Sequence, residues 1–329
     1  MNPQQKAMRT LQRNHRLGYW KIATYITSGA TAVVISSCEM HRSSEVKNAS
    51  LPGEAIRITA EPWRPQEVSN KAYNTIANEL TRRTRRQFRY VPSTSYMHAQ
   101  HLVSAGMVDV LVSGSYGAYL AFTKNPEVRI IAVESQAARS ALIMNGEEAS
   151  SRTTKGSVEG IRRIRRQRVG FGSRYAGLET SSPLLEMAKH GIKAKEMDTC
   201  TYIADQELRK RNIINGELDY AFVRLKRGEE RHGFADEDRI KVAWLSPAQQ
   251  DFIVSIGNRM LSPQNRQLRR DLTDLLISLD DSKPSDQIIL RNLDIEKIEK
   301  PTPFYPGQAF ATLKRSEHDV LALAREKCE

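Results

Sequence analysis

The chain has 329 residues, with 50 Lys and Arg against 38 Asp and Glu, and a formal charge of +12 at pH 7. That balance favours anionic partners (small anions, lipid headgroups or nucleic acid) without choosing among them. Three cysteines are too few for a disulfide scaffold, so a hydrophobic core must hold the fold, and a chain of this length can supply one.

In chain order, residues 1–37 read as an export signal. Residues 1–21 carry Lys6, Arg9, Arg13, Arg16 and Lys21 and no acid, and the uncharged stretch 22–37 leads into Ile35-Ser36-Ser37-Cys38. A basic region, a short apolar region and small residues before a cut site make such a signal. The final four residues resemble the bacterial lipobox, in which the cysteine is lipidated and becomes the first mature residue. A transmembrane anchor is the alternative, but sixteen residues diluted by Thr and Ser fall short of the ~20 apolar residues that a span needs. Cys38 is therefore expected to carry a lipid anchor for a soluble, extracytoplasmic body. Cleavage leaves 45 Lys and Arg against 38 acids, a charge of +7. Export argues against nucleic acid as a partner. Residues 38–53 are polar and aperiodic and read as a tether.

Beyond the tether, Ile56–Ala60 alternates like a strand, closed by a loop at Pro62, Arg64 and Pro65. Residues 71–86 predict a helix with an apolar stripe at Ala72, Tyr73, Ile76, Ala77 and Leu80, and arginines where the helix dipole favours cations. A strand at 88–91, a helix at 98–104 ended by Gly106, and a strand at 108–112 follow. The last runs into a Gly-rich turn at Ser113-Gly114-Ser115-Tyr116-Gly117. Strands are expected at 128–133, 140–144, 169–172, 218–223, 240–244 and 252–256. Helices are expected at 157–166, 180–190, 205–215, 263–278 and 316–327. Strands alternating with helices argue for a mainly parallel α/β arrangement in two halves, with no internal repeat visible. Residues 281–315 have no assigned role beyond a lobe-closing tail.

The ordered segments resemble a family: the PhnD-like phosphate/phosphite/phosphonate substrate-binding proteins of ABC transporters. The resemblance runs from about residue 56 to residue 280. It rests on Lys71-Ala72-Tyr73, on Ser95-Tyr96 before His101-Leu102-Val103-Ser104-Ala105-Gly106, and on Val108-Asp109-Val110. Gly114-Ser115-Tyr116-Gly117-Ala118-Tyr119, Arg168-Val169-Gly170-Phe171-Gly172-Ser173, His190-Gly191-Ile192, Asn215-Gly216-Glu217-Leu218-Asp219 and Trp244-Leu245-Ser246-Pro247 complete the series. It implies a two-lobed type II periplasmic-binding-protein fold, each lobe a mainly parallel sheet flanked by helices, joined by two crossover strands. The expected organisation is lobe 1 from 54–135 and 250–329, and lobe 2 from 136–249. Helix N-termini and loop amides facing the cleft suit an oxyanion, and hinged closure dries and strengthens those hydrogen bonds.

The same resemblance supplies the candidate ligand-binding residues. Phosphonate-type members hold the oxyanion with a Ser-Thr-Ser loop before a helix, and here the matching stretch, 172–183, is degraded. Anchoring on Pro183 puts Ala176, Gly177 and Leu178 on that run, whereas a shift brings Thr180, Ser181 and Ser182 to a helix start. Thr180 or Ser181 is alternatively only an N-cap, and Ser173 and Arg174 are candidates for a changed anion site. Lobe 1 offers Ser113, Ser115, Tyr116 and Tyr119, with Tyr116 and Tyr119 equal candidates for a ligand-facing aromatic and the other packed in the core. Trp63 and Arg64 stand at the cleft mouth, and Tyr96 is either a contact or a buried helix-start residue. Phosphonate binders often carry an acid near Arg224 for the ligand's amino group. Arg224 would instead suit a second anionic group, or else face solvent. Arg162, Arg163, Arg165 and Arg166 are expected outside, with Ile161 and Ile164 inside.

The reading is a monomeric, lipid-anchored binding protein that takes a small anionic ligand, without cofactor or metal, and hands it to an ABC permease. A ligand-sensing module for a membrane signalling partner is the alternative. Catalysis is not expected: Cys200 and His190 lack a surrounding base and orienter.

Overall fold

The computed structural model describes residues 54–135, 137–146, 158–226, 239–302, 310, 313 and 314. The signal region, Cys38, the tether and the helix expected at 316–327 lie outside the described residues. In chain order the elements are β1 (Ile56–Ala60), α1 (Gln66–Thr84), β2 (Phe88–Tyr90), α2 (Tyr96–Ser104), β3 (Val110–Ser113), α3 (Ser115–Lys124), β4 (Arg129–Glu134) and β5 (Arg139–Asn145). Then come α4 (Val158–Arg162), β6 (Arg168–Phe171), a π-helical turn Gly177–Ser181, α5 (Ser182–Lys189), β7 (Thr199–Tyr202), α6 (Gln206–Ile214), β8 (Tyr220–Leu225) and β9 (Ile240–Leu245). The last are β10 (Ile253–Ile256), α7 (Asn258–Leu261), α8 (Arg266–Ile277), α9 (Pro284–Leu293) and β11 (Ile298–Glu299).

Two sheets result, one six-stranded in the order β11-β4-β10-β3-β1-β2 and one five-stranded in the order β7-β6-β8-β5-β9. The chain crosses between them twice, from β4 to β5 and from β9 to β10. Both sheets are mixed, which corrects the mainly parallel expectation. β1 pairs in parallel with β2 and β3, and β6 with β7 and β8, whereas β10 runs antiparallel between β3 and β4, and β5 runs antiparallel between β8 and β9. A strand entering from the other sheet meets its neighbours head to tail, so each crossing inserts antiparallel pairs.

Local sequence explains most boundaries. Helix α1 begins directly after Pro65, earlier than its apolar stripe indicates, and ends at Arg85 in the left-handed region, whose N–H reaches Thr81 O at 2.9 Å. Ala72, Tyr73, Ile76, Ala77 and Leu80 are buried as expected, and Tyr73 stacks on Tyr90 with ring centroids 5.1 Å apart. The second sheet is covered on one face by Ile161, Ile164, Leu184, Met187 and Trp244, and on the other by Ile213, Leu218 and Leu245. Arg162, Arg165 and Arg166 point outward, opposite the buried Ile161 and Ile164.

One device occurs in both halves, although no repeat is visible in the sequence. Arg57, in β1, donates its backbone N–H to Asp109 Oδ2 at 2.7 Å. Arg168, which starts β6, makes the same bond to Asp219 Oδ2, also at 2.7 Å. Each aspartate ends a Gly-x-x-Asp turn whose glycine, Gly106 or Gly216, has φ near +70° (69° and 71°), a region that costs glycine little. Arg259 closes the first clamp, binding the fully buried Asp109 through two guanidinium nitrogens. Residues 281–302, for which the sequence offered only a tail, finish the first sheet. Helix α9 docks on α1 through Arg83 and Asp286 at 2.7 Å, and β11 pairs with β4.

Candidate functional site

Between the two sheets lies a pocket of about 420 Å³. The six-stranded sheet contributes Glu61 just after β1, Ser113 and Gly114 between β3 and α3, and Asp251 and Phe252 just before β10. The five-stranded sheet contributes the 176–179 turn, the first turn of α6, and Arg224 and Lys226 at the end of β8. Trp63, Arg64, Tyr96 and the Leu293-Asp294-Ile295 corner complete the wall. The parallel strands β1 and β3 end here, where an α/β sheet places ligands.

The pocket's electrostatics are unusual for an oxyanion site. Its lining holds six carboxylates (Glu61, Glu179, Asp205, Glu207, Asp251, Asp294) and four cations (Arg64, Lys210, Arg224, Lys226). The deepest carboxylates occupy the donors. Glu61 accepts from Gly114 N–H at 2.8 Å and from Gln100 Nε2 at 3.1 Å, and burial pushes its carboxyl up to about 8. Asp251 Oδ1 accepts from both the N–H and the hydroxyl of Ser115 at 3.4 Å, and burial pushes its carboxyl up to about 7. Glu134, at the end of β4, pairs with Arg224 at 2.9 Å, yet burial outweighs that partner and raises its carboxyl too. Glu179 is held by the fully buried Arg209. At the mouth Arg64 lies over the Trp63 ring at 3.8 Å, and Arg64 and Lys226 share Asp294.

The structure places the sequence candidates unevenly. Trp63 and Arg224 line the pocket. Arg224 is partly exposed to the pocket; it is bonded to Glu134, and its Nε is 3.7 Å from Asp251. Ser115, Tyr116 and Tyr119 sit on α3, not in a Gly-rich turn. Ser115 is its first residue and touches the pocket through Asp251. Neither Tyr116 nor Tyr119 is among the lining residues. At 3% and 2% exposed they stack on each other at 6.1 Å, with Phe310 against Tyr119, so both are core residues. Their helical spacing points both into the apolar layer under α3. Thr180 and Ser181 lie in the π-helical turn and make no cap to α5, which corrects the N-cap alternative. Both hydroxyls are buried without a hydrogen-bond partner among the described residues, as is that of Ser113. Ser173 and Arg174 are not among the lining residues, and Arg174 lies over Tyr202 at 5.5 Å.

Comparison with family models matches residues 58–303 to the phosphonate periplasmic substrate-binding proteins of ABC transporters. The chain belongs to this family. Members serve transporters as solute-binding components and are not enzymes, and periplasmic proteins of this kind are extracytoplasmic. Among solved structures, a PhnD protein of Prochlorococcus marinus in complex with methylphosphonate superposes with a TM-score of 0.68 at 16% identity, covering 80% of this chain and 99% of that one. A binding-protein component of a Pseudomonas aeruginosa ABC phosphonate transporter gives 0.61 at 15% identity, over 83% and 98%. A Xanthomonas citri protein bound to ATP gives 0.59 at 9% identity, over 82% and 99%. These likenesses establish the two-lobed type II periplasmic-binding-protein fold. No curated protein sequence matches the chain.

Within this family member, sequence reading missed Glu61, Glu134, Glu179 and Asp251. A faint signal existed for two of them. Glu61 follows an apolar strand and precedes Pro62, and Asp251 directly precedes Phe252 and β10. A charged residue at a strand end facing the ligand edge is a site candidate by position alone.

Proposed function

We propose that the chain is a lipid-anchored, extracytoplasmic solute-binding protein that captures a small phosphonate-, phosphite- or phosphate-like oxyanion between its lobes and delivers it to an ABC permease. Lobe 1 comprises 54–135 and 250–329, lobe 2 comprises 136–249, and the lipidated Cys38 with the 38–53 tether holds the monomer at the membrane. The observation that carries the reading is the Ser115 corner. There the first N–H and hydroxyl of α3 already hold an anionic oxygen, that of Asp251, opposite the Gly177–Ser181 turn of the other lobe. A helix N-terminus with aligned donors is a natural anion seat. The methylphosphonate complex of the Prochlorococcus marinus relative supports the ligand class.

Ser115→Pro tests the reading at the two donors of one residue. Ser115 is the first helical residue, where proline is tolerated, and the change deletes its amide donor together with its hydroxyl. At 100 times the dissociation constant, ligand binding adds about 2.7 kcal/mol of stability, which thermal melting resolves. Phosphate, phosphite or methylphosphonate is expected to raise the melting temperature of the wild type and not that of the variant. Equal shifts in both proteins would remove Ser115 from the site.

A further inference from the structure

Asp251 stands where an incoming oxyanion would have to go. Its Oδ1 takes both donors of Ser115, and from the opposite lobe Gly177 comes so close that a Cβ there would lie 2.6 Å from the same oxygen. A second feature marks the spot as a ligand seat. Ser113 is among the pocket's lining residues, 5% exposed, and its buried Oγ has no hydrogen-bond partner among the described residues.

We propose that Asp251 determines what this site accepts: it is a tethered anion on the α3 donors, and a small oxyanion takes its place there only together with a proton. The inference rests on the oxyanion-capture reading. Two like charges sharing one dry site cannot both stay ionised. The groups around Asp251 decide which one takes the proton. Arg224 from β8 is the cation facing it, and Arg224 is already divided between Asp251 and Glu134 at the end of β4. Glu134 at the end of β4 and Glu179 in the π-helical turn add negative charge, the latter offset by Arg209 from α6, whereas Glu61 after β1, raised to about 8, keeps its proton near neutrality. Adding an anion to this group without a proton leaves an uncompensated buried charge. With the proton on Asp251, its hydroxyl becomes a donor to the oxyanion, and Ser115 N–H and Oγ are released to the same ligand. Burial already raises Asp251 to about 7, so the proton is at hand near neutral pH. An acidic ligand site would thereby accept an anion without net accumulation of charge.

The test is calorimetric titration of the purified protein with methylphosphonate from about pH 5.5 to 8.5, beside Asp251→Asn. The affinity of the wild type is expected to fall relative to the variant by up to about tenfold per pH unit above neutrality. The ligand's own titration is common to both proteins, so this difference belongs to Asp251. Repeating the titration at pH 8 in buffers of different ionisation enthalpy should show close to one more proton taken up per ligand by the wild type than by the variant. Asp251→Ser, which removes the carboxyl without supplying an amide, guards against an effect peculiar to asparagine and must lose the same pH dependence. Identical pH profiles and proton counts in wild type and variants overturn the inference and leave oxyanion capture standing. Absence of binding by every protein at every pH overturns both.

Discussion

Glu61→Gln should flatten the dependence of stability on pH. Glu61 is 4% exposed, held by Gly114 N–H and Gln100 Nε2, and raised by burial from an ordinary 4.5 to about 8. Between those values the folded protein keeps a proton that the unfolded chain has released. The stability from this group is therefore complete below pH 4.5 and is lost as pH rises through about 8. One proton corresponds to about 1.4 kcal/mol per pH unit, so the loss between pH 5 and pH 8 is on the order of 4 kcal/mol. Glutamine keeps the shape and an acceptor for Gly114 N–H but has no proton to lose. Asp251, raised to about 7, titrates in the same direction in both proteins. Urea unfolding at pH 5, 6, 7 and 8 measures the difference. Parallel curves for wild type and variant would refute a buried, protonated Glu61.

Other consequences follow from the same cluster. Arg224→Met leaves Glu134 and Asp251 buried without their shared cation and should cost about 3–5 kcal/mol in denaturant unfolding near neutral pH. Most of that loss should disappear at low pH, where both carboxyls are protonated. Gly117→Ala puts a Cβ into the Glu61 carboxylate and should cost about 1–3 kcal/mol by overpacking. The penalty should shrink in a Glu61→Ala background, which a double-mutant cycle reads directly. Separately, the proposed lipid anchor predicts that Cys38→Ser abolishes incorporation of a labelled fatty acid into the protein.

The order of strands and helices was legible because each carries its own period, and the apolar stripe of α1 lies buried as its spacing requires. The two Gly-x-x-Asp turns were visible as motifs, but their bonds to Arg57 and Arg168 needed the paired strands. Helix α3 was hidden because Ser113-Gly114-Ser115 reads as turn chemistry, and that misplaced Tyr116 and Tyr119. The parallel count was overestimated because a crossing strand has no local mark of direction. The charge of the pocket was the least legible feature. Glu61, Glu134, Glu179 and Asp251 come from four separate segments, and only the fold brings Glu134 and Asp251 to Arg224 and sets Glu61 and Glu179 near Asp251. Arg224 was legible as a site candidate, but its two carboxylate partners, Glu134 and Asp251, were not.

The most direct test of the account is a crystal structure of the protein grown with methylphosphonate near pH 6. The account predicts phosphonate oxygens on the Ser115 N–H and hydroxyl, between α3 and the Gly177–Ser181 turn, with the Asp251 carboxyl moved off those donors. A cleft without ligand, or a phosphonate bound elsewhere while Asp251 stays on Ser115, would contradict it.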